Sequence, residues 1–171
     1  MAQKTAIEKQ KYCKQTLLVL LRLSLGWTLF WAFIDKLFGF GFATTPEKSW
    51  LAGGSPTSGF LANATHGPFA DFYHSLAGNP IVDWLFMLGL GLIGLALILG
   101  IGLKIASYSG ALLMIMMWSS MLLPKNNPLI DEHIIYALLF LVMPLANAGH
   151  FFGLGKWWSN TGLVKKYPFL Q

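Results

Sequence analysis

Charged side chains are scarce in this sequence, because Asp, Glu, Lys and Arg make up only 11% of its 171 residues. A soluble domain of ordinary composition carries roughly 25%, so water is not the only solvent that the chain meets. Cysteine is scarcer still. Cys13 stands alone, which excludes an intramolecular disulfide, a Cys-x-x-Cys redox pair and a cysteine cluster for zinc or iron–sulfur. Any electron transfer must therefore use a bound cofactor or a partner.

Metal-binding and nucleic-acid-binding patterns are also missing. The formal net charge is +5, but the basic residues flank apolar blocks and form no dense patch, so we expect no nucleic-acid partner. The histidines do not show the close spacing of metal ligands, and we predict no metal site. They are His66, His74, His133 and His150.

Long apolar blocks are what the sequence does contain, with 55% hydrophobic residues and a mean hydropathy of +0.57. Four blocks predict transmembrane helices at about 16–38, 82–103, 105–123 and 132–152. Lysines precede the first block, as in a signal peptide, but its apolar stretch is too long and no small-residue cleavage site follows. We therefore expect a retained helix. The predicted fold is all-α: an integral membrane four-helix bundle, formed by one domain over 1–171 and surrounded by a lipid bilayer.

The block boundaries carry local signals. Glycines beside Lys104 predict a tight hairpin between the second and third blocks. The fourth block opens after Pro128 with Asp131 and Glu132, acidic residues that suit a helix N-terminus. Pro144 should kink this helix, because proline removes a backbone donor and crowds the preceding turn.

Lysine positions predict the orientation. The side that carries more Lys and Arg near the membrane is usually cytoplasmic, which places both termini in the cytoplasm and the loops 41–80 and 124–131 outside a multi-pass cell-membrane protein. The inner side holds Lys4, Lys9, Lys11, Lys14, Lys104, Lys156, Lys165 and Lys166. The outer side holds Lys36, Lys48 and Lys125.

The loop 41–80 is rich in Gly, Pro, Ser and Thr, but part of it has helical periodicity. Apolar side chains recur there at i, i+3, i+4 and i+7 spacing, which predicts a short interfacial helix. They are Phe69, Phe72, Tyr73 and Leu76. This helix either fills the space between helix ends or forms a lid over a site that opens outward.

A GxGxxG pattern runs from Gly89 to Gly94. No strand precedes it and it lies inside an uncharged apolar block, so a dinucleotide-binding role is not expected. The small residues instead predict thin helix surfaces that allow close packing. They are these glycines and, farther along, Ala96, Gly100, Ala106 and Gly110.

Two helical stripes combine polar groups with apolar surface. Arg22 and Lys36 fall on one stripe of the first helix, where Arg22 either snorkels to lipid headgroups or faces the bundle interior. A stripe on the fourth helix consists of His133, Tyr136, Phe140, Pro144 and Asn147. If the stripes face each other, they enclose a pocket with a charged outer mouth, suited to anion binding or proton movement. A surface ion-pair cluster is the alternative. The mouth would contain Asp35, Lys36, Asp131, Glu132 and His133.

Five segments together resemble the DoxX/DoxD family, and the resemblance spans about 17–170. Each segment is individually loose, and their order along the chain carries the resemblance. They are LRLSLG at 21–26, FWAFIDKL at 30–37, GNPIVDW at 78–84, NPLIDEHIIYA at 127–137, and AGH followed by GLGKWW at 148–158.

The resemblance implies a four-helix membrane bundle linked to redox metabolism. DoxD-like proteins are the membrane subunit of thiosulfate:quinone oxidoreductase, which works with a DoxA-type partner, and DoxX relatives associate with oxidative-stress and sulfur proteins. No settled catalytic assignment transfers from the family. The family-like positions are Arg22, Gly26, Lys36, Asp131 and His133.

The resulting hypothesis is a subunit of a quinone-linked oxidoreductase with membrane quinone as its cofactor. Lys36, Asp131 and His133 are the candidate catalytic residues, in which Lys36 attracts negative charge and the other two carry protons. The candidate substrate-binding residues are Arg22, Asp35, Tyr136 and Asn147. The alternatives are a non-catalytic accessory subunit of a larger membrane redox complex and a small-solute carrier, and a homo-oligomer stays open.

Overall fold

The computed structural model describes residues 2–124, 127 and 129–171, with side chains from residue 6 onward. Within those residues the chain is helical, with no strand and one isolated bridge between His66 and Met121. The all-α prediction is confirmed. The α-helices are α1 (Ala2–Phe38), α2 (Ser58–Asn63), α3 (Ala70–Ser75), α4 (Pro80–Leu99), α5 (Leu103–Ser120), α6 (Glu132–Leu145), α7 (Gly155–Ser159) and α8 (Gly162–Lys166). Short 3₁₀ turns lie at Pro46–Lys48, Ala148–His150 and Pro168–Leu170.

Helix α1 ends where the sequence predicts but begins much earlier, at Ala2 rather than near residue 16. The lysine-rich segment before the apolar block consists mainly of Ala, Lys, Gln and Glu, which are strong helix formers, so the helix continues through it. The 37 residues span about 55 Å at 1.5 Å per residue. Gly39, with a φ of 71°, follows the last residue of the helix.

Helices α4 and α5 form the predicted hairpin. Asn79 caps α4 by accepting a hydrogen bond from the Ile81 N–H, with Pro80 in the first turn. Gly100 and Gly102 both adopt left-handed conformations between the two helices, which glycine does without steric cost. Both helices start and end a few residues before the predicted boundaries.

The prediction that the fourth helix runs to residue 152 was wrong, because α6 ends at Leu145. Pro144 removes one backbone donor in the last turn, and Asn147 then reverses the chain at a φ of 50°. The N-terminus agrees with the sequence, since the Asp131 side chain accepts from the N–H groups of His133 and Ile134. The expectations for Lys125 and Pro128 fall outside the described residues.

Glycines set the packing of the helices in pairs, α1 on α4 and α5 on α6, with a smaller contact between α4 and α5. A Cβ on Gly91 would meet the Phe33 ring, and one on Gly110 would clash with the Phe140 ring. The predicted thin surfaces are therefore present at these positions. Gly89 is different, because a Cβ there would meet open space.

Two helical segments, Ala6–Phe38 and Pro80–Leu99, are long and apolar enough to cross a membrane. Only 33% of the most apolar window of the second is buried inside the protein, and leucines on α4, α5 and α6 point outward. They include Leu85, Leu88, Leu92, Leu112 and Leu138. An apolar surface of this extent needs a partner other than water.

Candidate functional site

A cavity of about 170 Å³ lies where the C-terminal ends of α1 and α5 meet the N-terminal end of α4, beneath the folded loop 41–79. We call it the lysine chamber, because Lys36 is its one charged lining residue among those that the structure describes. Its other lining residues are Pro56, Thr57, Phe60, Leu61, Tyr73, Leu76, Val82, Phe86, Leu113, Met116, Met117 and Ser120.

Lys36 has no ion-pair partner within the described parts of the chain, where the one ion pair joins His133 and Asp131. The neighbouring carboxylate of Asp35 is committed elsewhere. It accepts hydrogen bonds from the backbone N–H groups of Ala43 and Thr44 at 2.9 Å, and from that of Phe42 at 3.3 Å. Asp35 is 1% exposed and fixes the start of the loop 41–79 through these bonds, and its carboxylate forms no direct ion pair with Lys36.

Residues 55–57, α2 and α3 cover the chamber, and we call them its roof. The roof is anchored to α4 by Asp83, a buried carboxylate in the first turn of that helix. One of its oxygens accepts from the hydroxyls of Ser55 and Thr57 and from the Thr57 N–H. These bonds hold the segment that leads into α2 against the helix. Asp83 and Thr57 were not predicted as site residues, because no sequence signal links two residues that are 26 positions apart.

A second anchor joins the roof to α5. The Tyr73 hydroxyl donates to the Met116 carbonyl oxygen at 3.1 Å and lies 2.6 Å from the Ser119 hydroxyl. Tyr73 belongs to α3, which lies within the predicted apolar segment 69–76. Of the two roles considered for that segment, covering a cavity is the one that the position of α3 fits, because Tyr73 and Leu76 both line the chamber.

The chamber combines one ammonium with hydroxyl-bearing residues and apolar walls. Thr57, Tyr73 and Ser120 are the hydroxyl residues of the lining, and all three are buried. Hydrogen bonds and charge interactions strengthen in such a low-dielectric environment. A ligand group that presents carbonyl or anionic oxygen to Lys36, with an apolar body, has the matching chemistry.

Asp131 and His133 lie in a different place, at the N-terminus of α6. One Asp131 oxygen caps the helix, and the other lies 2.9 Å from His133 Nδ1. Asp131 and Glu132 line an open groove of about 1,000 Å³ together with His66. Two carboxylates make this groove unsuited to a sulfur oxyanion, and Lys36 is not among its described lining residues.

Arg22 lies near the middle of α1, about four helical turns before Lys36, and is 0% exposed. Its Nη1 donates to the carbonyl oxygens of Ala148 at 2.7 Å and Phe151 at 3.1 Å, and its Nη2 donates to that of Phe152 at 2.7 Å. The interior position is therefore the observed one and the snorkelling position is not. The guanidinium holds the turn after α6 against α1.

The pocket expected between the two polar stripes is not formed by the described residues. Helices α1 and α6 touch only slightly, because each packs mainly on a glycine-containing neighbour. Phe140 of the expected stripe is buried against Gly110, while Tyr136 is 36% exposed at the surface. Asn147 lines a small cavity of about 30 Å³ at the end of the molecule near Arg22, with His150 and Lys104.

Within the described residues, no group of three or more His, Cys, Asp or Glu side chains is arranged to hold a metal ion. Comparison of the chain with protein-family models, with curated proteins and with solved structures finds no match. The chemistry of the lysine chamber is therefore the basis for a functional assignment.

Proposed function

We propose that the chain is a multi-pass membrane protein whose helices α1, α4, α5 and α6 form a four-helix bundle with cytoplasmic termini. Two of these helices are long and apolar enough to cross a membrane, and the outward-facing leucines of the bundle suit hydrocarbon. The lysine distribution supports the orientation. In this arrangement, the lysine chamber lies on the outer side and the Arg22 turn on the inner side.

Within that frame, we propose a quinone-linked oxidoreductase subunit in which the lysine chamber binds a quinone headgroup. The single observation that carries the proposal is the Lys36 ammonium, which has no ion-pair partner among the described residues and lines an apolar chamber with hydroxyl-bearing residues in its wall. A quinone carbonyl can accept from Lys36, and the ring can pack on Phe60 and Phe86. The volume of about 170 Å³ is below the ~300–1,000 Å³ of a drug-sized pocket, and it suits a headgroup alone.

Lys36 has a specific chemical role in this proposal. Reduction of a quinone takes up two protons and two electrons, and negative charge develops on the carbonyl oxygen before it is protonated. A fixed ammonium beside that oxygen stabilises the charge. The electrons come from a partner or donor; the family resemblance suggests thiosulfate as donor and a DoxA-type subunit as partner.

Asp131 and His133 keep a secondary place as a proton-handling pair. His133 Nδ1 lies 2.9 Å from an Asp131 oxygen, so a proton can pass directly between the two side chains. Asp131 lines the open groove at the N-terminus of α6, and His133 lies beside it. In this proposal the pair serves proton entry from the outer side and does not touch the headgroup.

The test is the substitution Lys36→Met, which keeps the length of the side chain and removes its charge, with Lys48→Met as a matched control on the exposed outer loop. Binding of a decyl-substituted benzoquinone to the purified protein is followed by quenching of tryptophan fluorescence. We expect the Lys36 variant to bind about tenfold or more weakly, which corresponds to the loss of one charge-assisted hydrogen bond, and Lys48→Met to bind as wild type. Equal affinities for all three proteins contradict the proposal.

A non-catalytic accessory subunit is the second candidate. It is favoured by Arg22 and Asp35, two buried charged residues whose hydrogen bonds go to backbone groups of this chain. Purification in mild detergent separates the two candidates. A stoichiometric partner that is needed for activity, together with a chain that binds no quinone, supports the accessory role.

A further inference from the structure

A second cavity lies between α4 and α5 on the outward-facing apolar surface. It has a volume of about 510 Å³, and we call it the seam groove. Its α4 wall runs from Leu85 to Ala96, which is about 16 Å at 1.5 Å per residue. The lining is almost wholly apolar, and Ser109 is one of its few polar side chains.

The groove is open because of Gly89. A Cβ at this position would have no heavy atom within 4 Å, whereas Gly91 and Gly94 on the same helix are pressed against α1. Gly89 therefore does not serve the packing of the bundle. Its lack of a side chain leaves a slot between Leu85 and Leu92, two outward-facing residues of the same helix that also line the groove.

The seam groove and the lysine chamber lie along the same face of α5. Residues 102, 105, 106 and 109 line the groove, and residues 113, 116, 117 and 120 line the chamber. Their spacing of three and four residues places all of them on one side of the helix. On α4, Phe86 of the chamber and Gly89 of the groove lie one turn apart, about 4.5 Å along the axis.

We propose that the seam groove holds the apolar chain of the quinone whose headgroup occupies the lysine chamber, and that the ligand enters sideways from the bilayer. The inference rests on the proposed function and adds the class of ligand: a quinone with a long chain, in preference to one without. The outer loop closes the chamber from above through Asp83 and Tyr73, so the seam is the side left open to lipid. The apolar chain of the quinone need not leave an apolar environment at any stage of entry.

The test is Gly89→Leu, which fills the groove without contact to the lysine chamber. Gly162→Leu is the matched control, because Gly162 also lies in a helix and a Cβ there would meet open space. Two probes are titrated against each protein: 2,3-dimethoxy-5-methyl-benzoquinone, which has no chain, and its decyl-substituted form. We expect wild type and Gly162→Leu to prefer the decyl form, and Gly89→Leu to lose about tenfold affinity for it while binding the chainless form unchanged.

The outcomes separate this inference from the proposed function. If wild type binds neither probe, the proposed function fails and the inference fails with it. If wild type binds both but Gly89→Leu keeps the full preference for the decyl form, the headgroup site stands and the groove assignment is overturned. If Gly89→Leu changes the oligomeric state but keeps the preference for the decyl form, the groove is a contact with a second copy of the protein. This outcome also overturns the inference.

Discussion

Gly26 of α1 and Gly94 of α4 lie against each other where the two helices cross. A Cβ added to Gly94 would stand 2.9 Å from the Gly26 carbonyl oxygen and 2.7 Å from the backbone nitrogen of Phe30. Backbone atoms cannot move aside as a flexible side chain can. The backbones of the two helices therefore touch at this point, and any side chain larger than hydrogen must push them apart.

We expect Gly94→Ala to destabilise the protein by about 1–3 kcal/mol, the usual cost of inserting a methyl group into a close-packed contact. The measurement is unfolding of the purified protein in mixed micelles with increasing SDS. Gly89→Ala in the same helix is the control, because its Cβ meets open space and the higher helix propensity of alanine favours it by up to ~1 kcal/mol. Equal stability of the two variants would show that α1 and α4 are not in backbone contact.

Replacement of Arg22 should loosen the turn after α6. Arg22→Gln removes the charge and at least one of three hydrogen bonds to the carbonyl oxygens of Ala148, Phe151 and Phe152, so we expect a loss of about 3 kcal/mol. Hydrogen exchange of the segment 146–155 should quicken accordingly. Lys14→Gln, on the exposed part of the same helix, is the control. Unchanged exchange in Arg22→Gln would show that the turn is held by other contacts.

Asp35 should matter for the stability of the loop 41–79 and little for the packing of the long helices. Asp35→Asn replaces one acceptor oxygen with an NH₂ group, so the side chain loses either the bond from the Phe42 N–H or the bonds from the Ala43 and Thr44 N–H groups. We expect a loss of about 1–2 kcal/mol and faster exchange of the amides in the segment 42–44. Asp71→Asn, in the first turn of α3, should leave both unchanged. An effect spread over α4 and α5 instead would mean that Asp35 supports the bundle itself.

The sequence predicts the helices of the bundle because their apolar blocks and caps are local signals. The helix cap at Asp131 and the turn at the hairpin glycines can both be predicted from neighbouring residues alone. The start of α1 was missed because the predicted bound followed the apolar block, whereas the helix formers that precede the block extend the helix to Ala2. The end of α6 was missed because the reversal at Asn147 requires a left-handed conformation of a residue other than glycine.

The site was only partly predictable for a related reason. Lys36 and the apolar segment of Tyr73 are visible in the sequence as exceptions to their surroundings. Lys36 and Tyr73 line the same chamber because Asp83 and Thr57 are hydrogen-bonded across 26 residues. Their proximity also depends on which face of α1 packs against α4. A helical stripe gives the direction of side chains relative to one helix axis, and it does not say which neighbour that direction meets. Lys36 and His133 were placed together for lack of this information.

The hydroxyl of Tyr73 should govern how firmly the roof closes the lysine chamber. Tyr73→Phe keeps the buried ring and removes the bonds to Met116 and Ser119, at an expected cost of about 1 kcal/mol. Because α3 is then less firmly held, its amides should exchange faster, by roughly fivefold for 1 kcal/mol. Tyr108→Phe is the control, since Tyr108 is exposed on α5. Exchange in α3 that is equally slow in both variants would show that the roof is held by its apolar contacts and that the hydroxyl is not its anchor to α5.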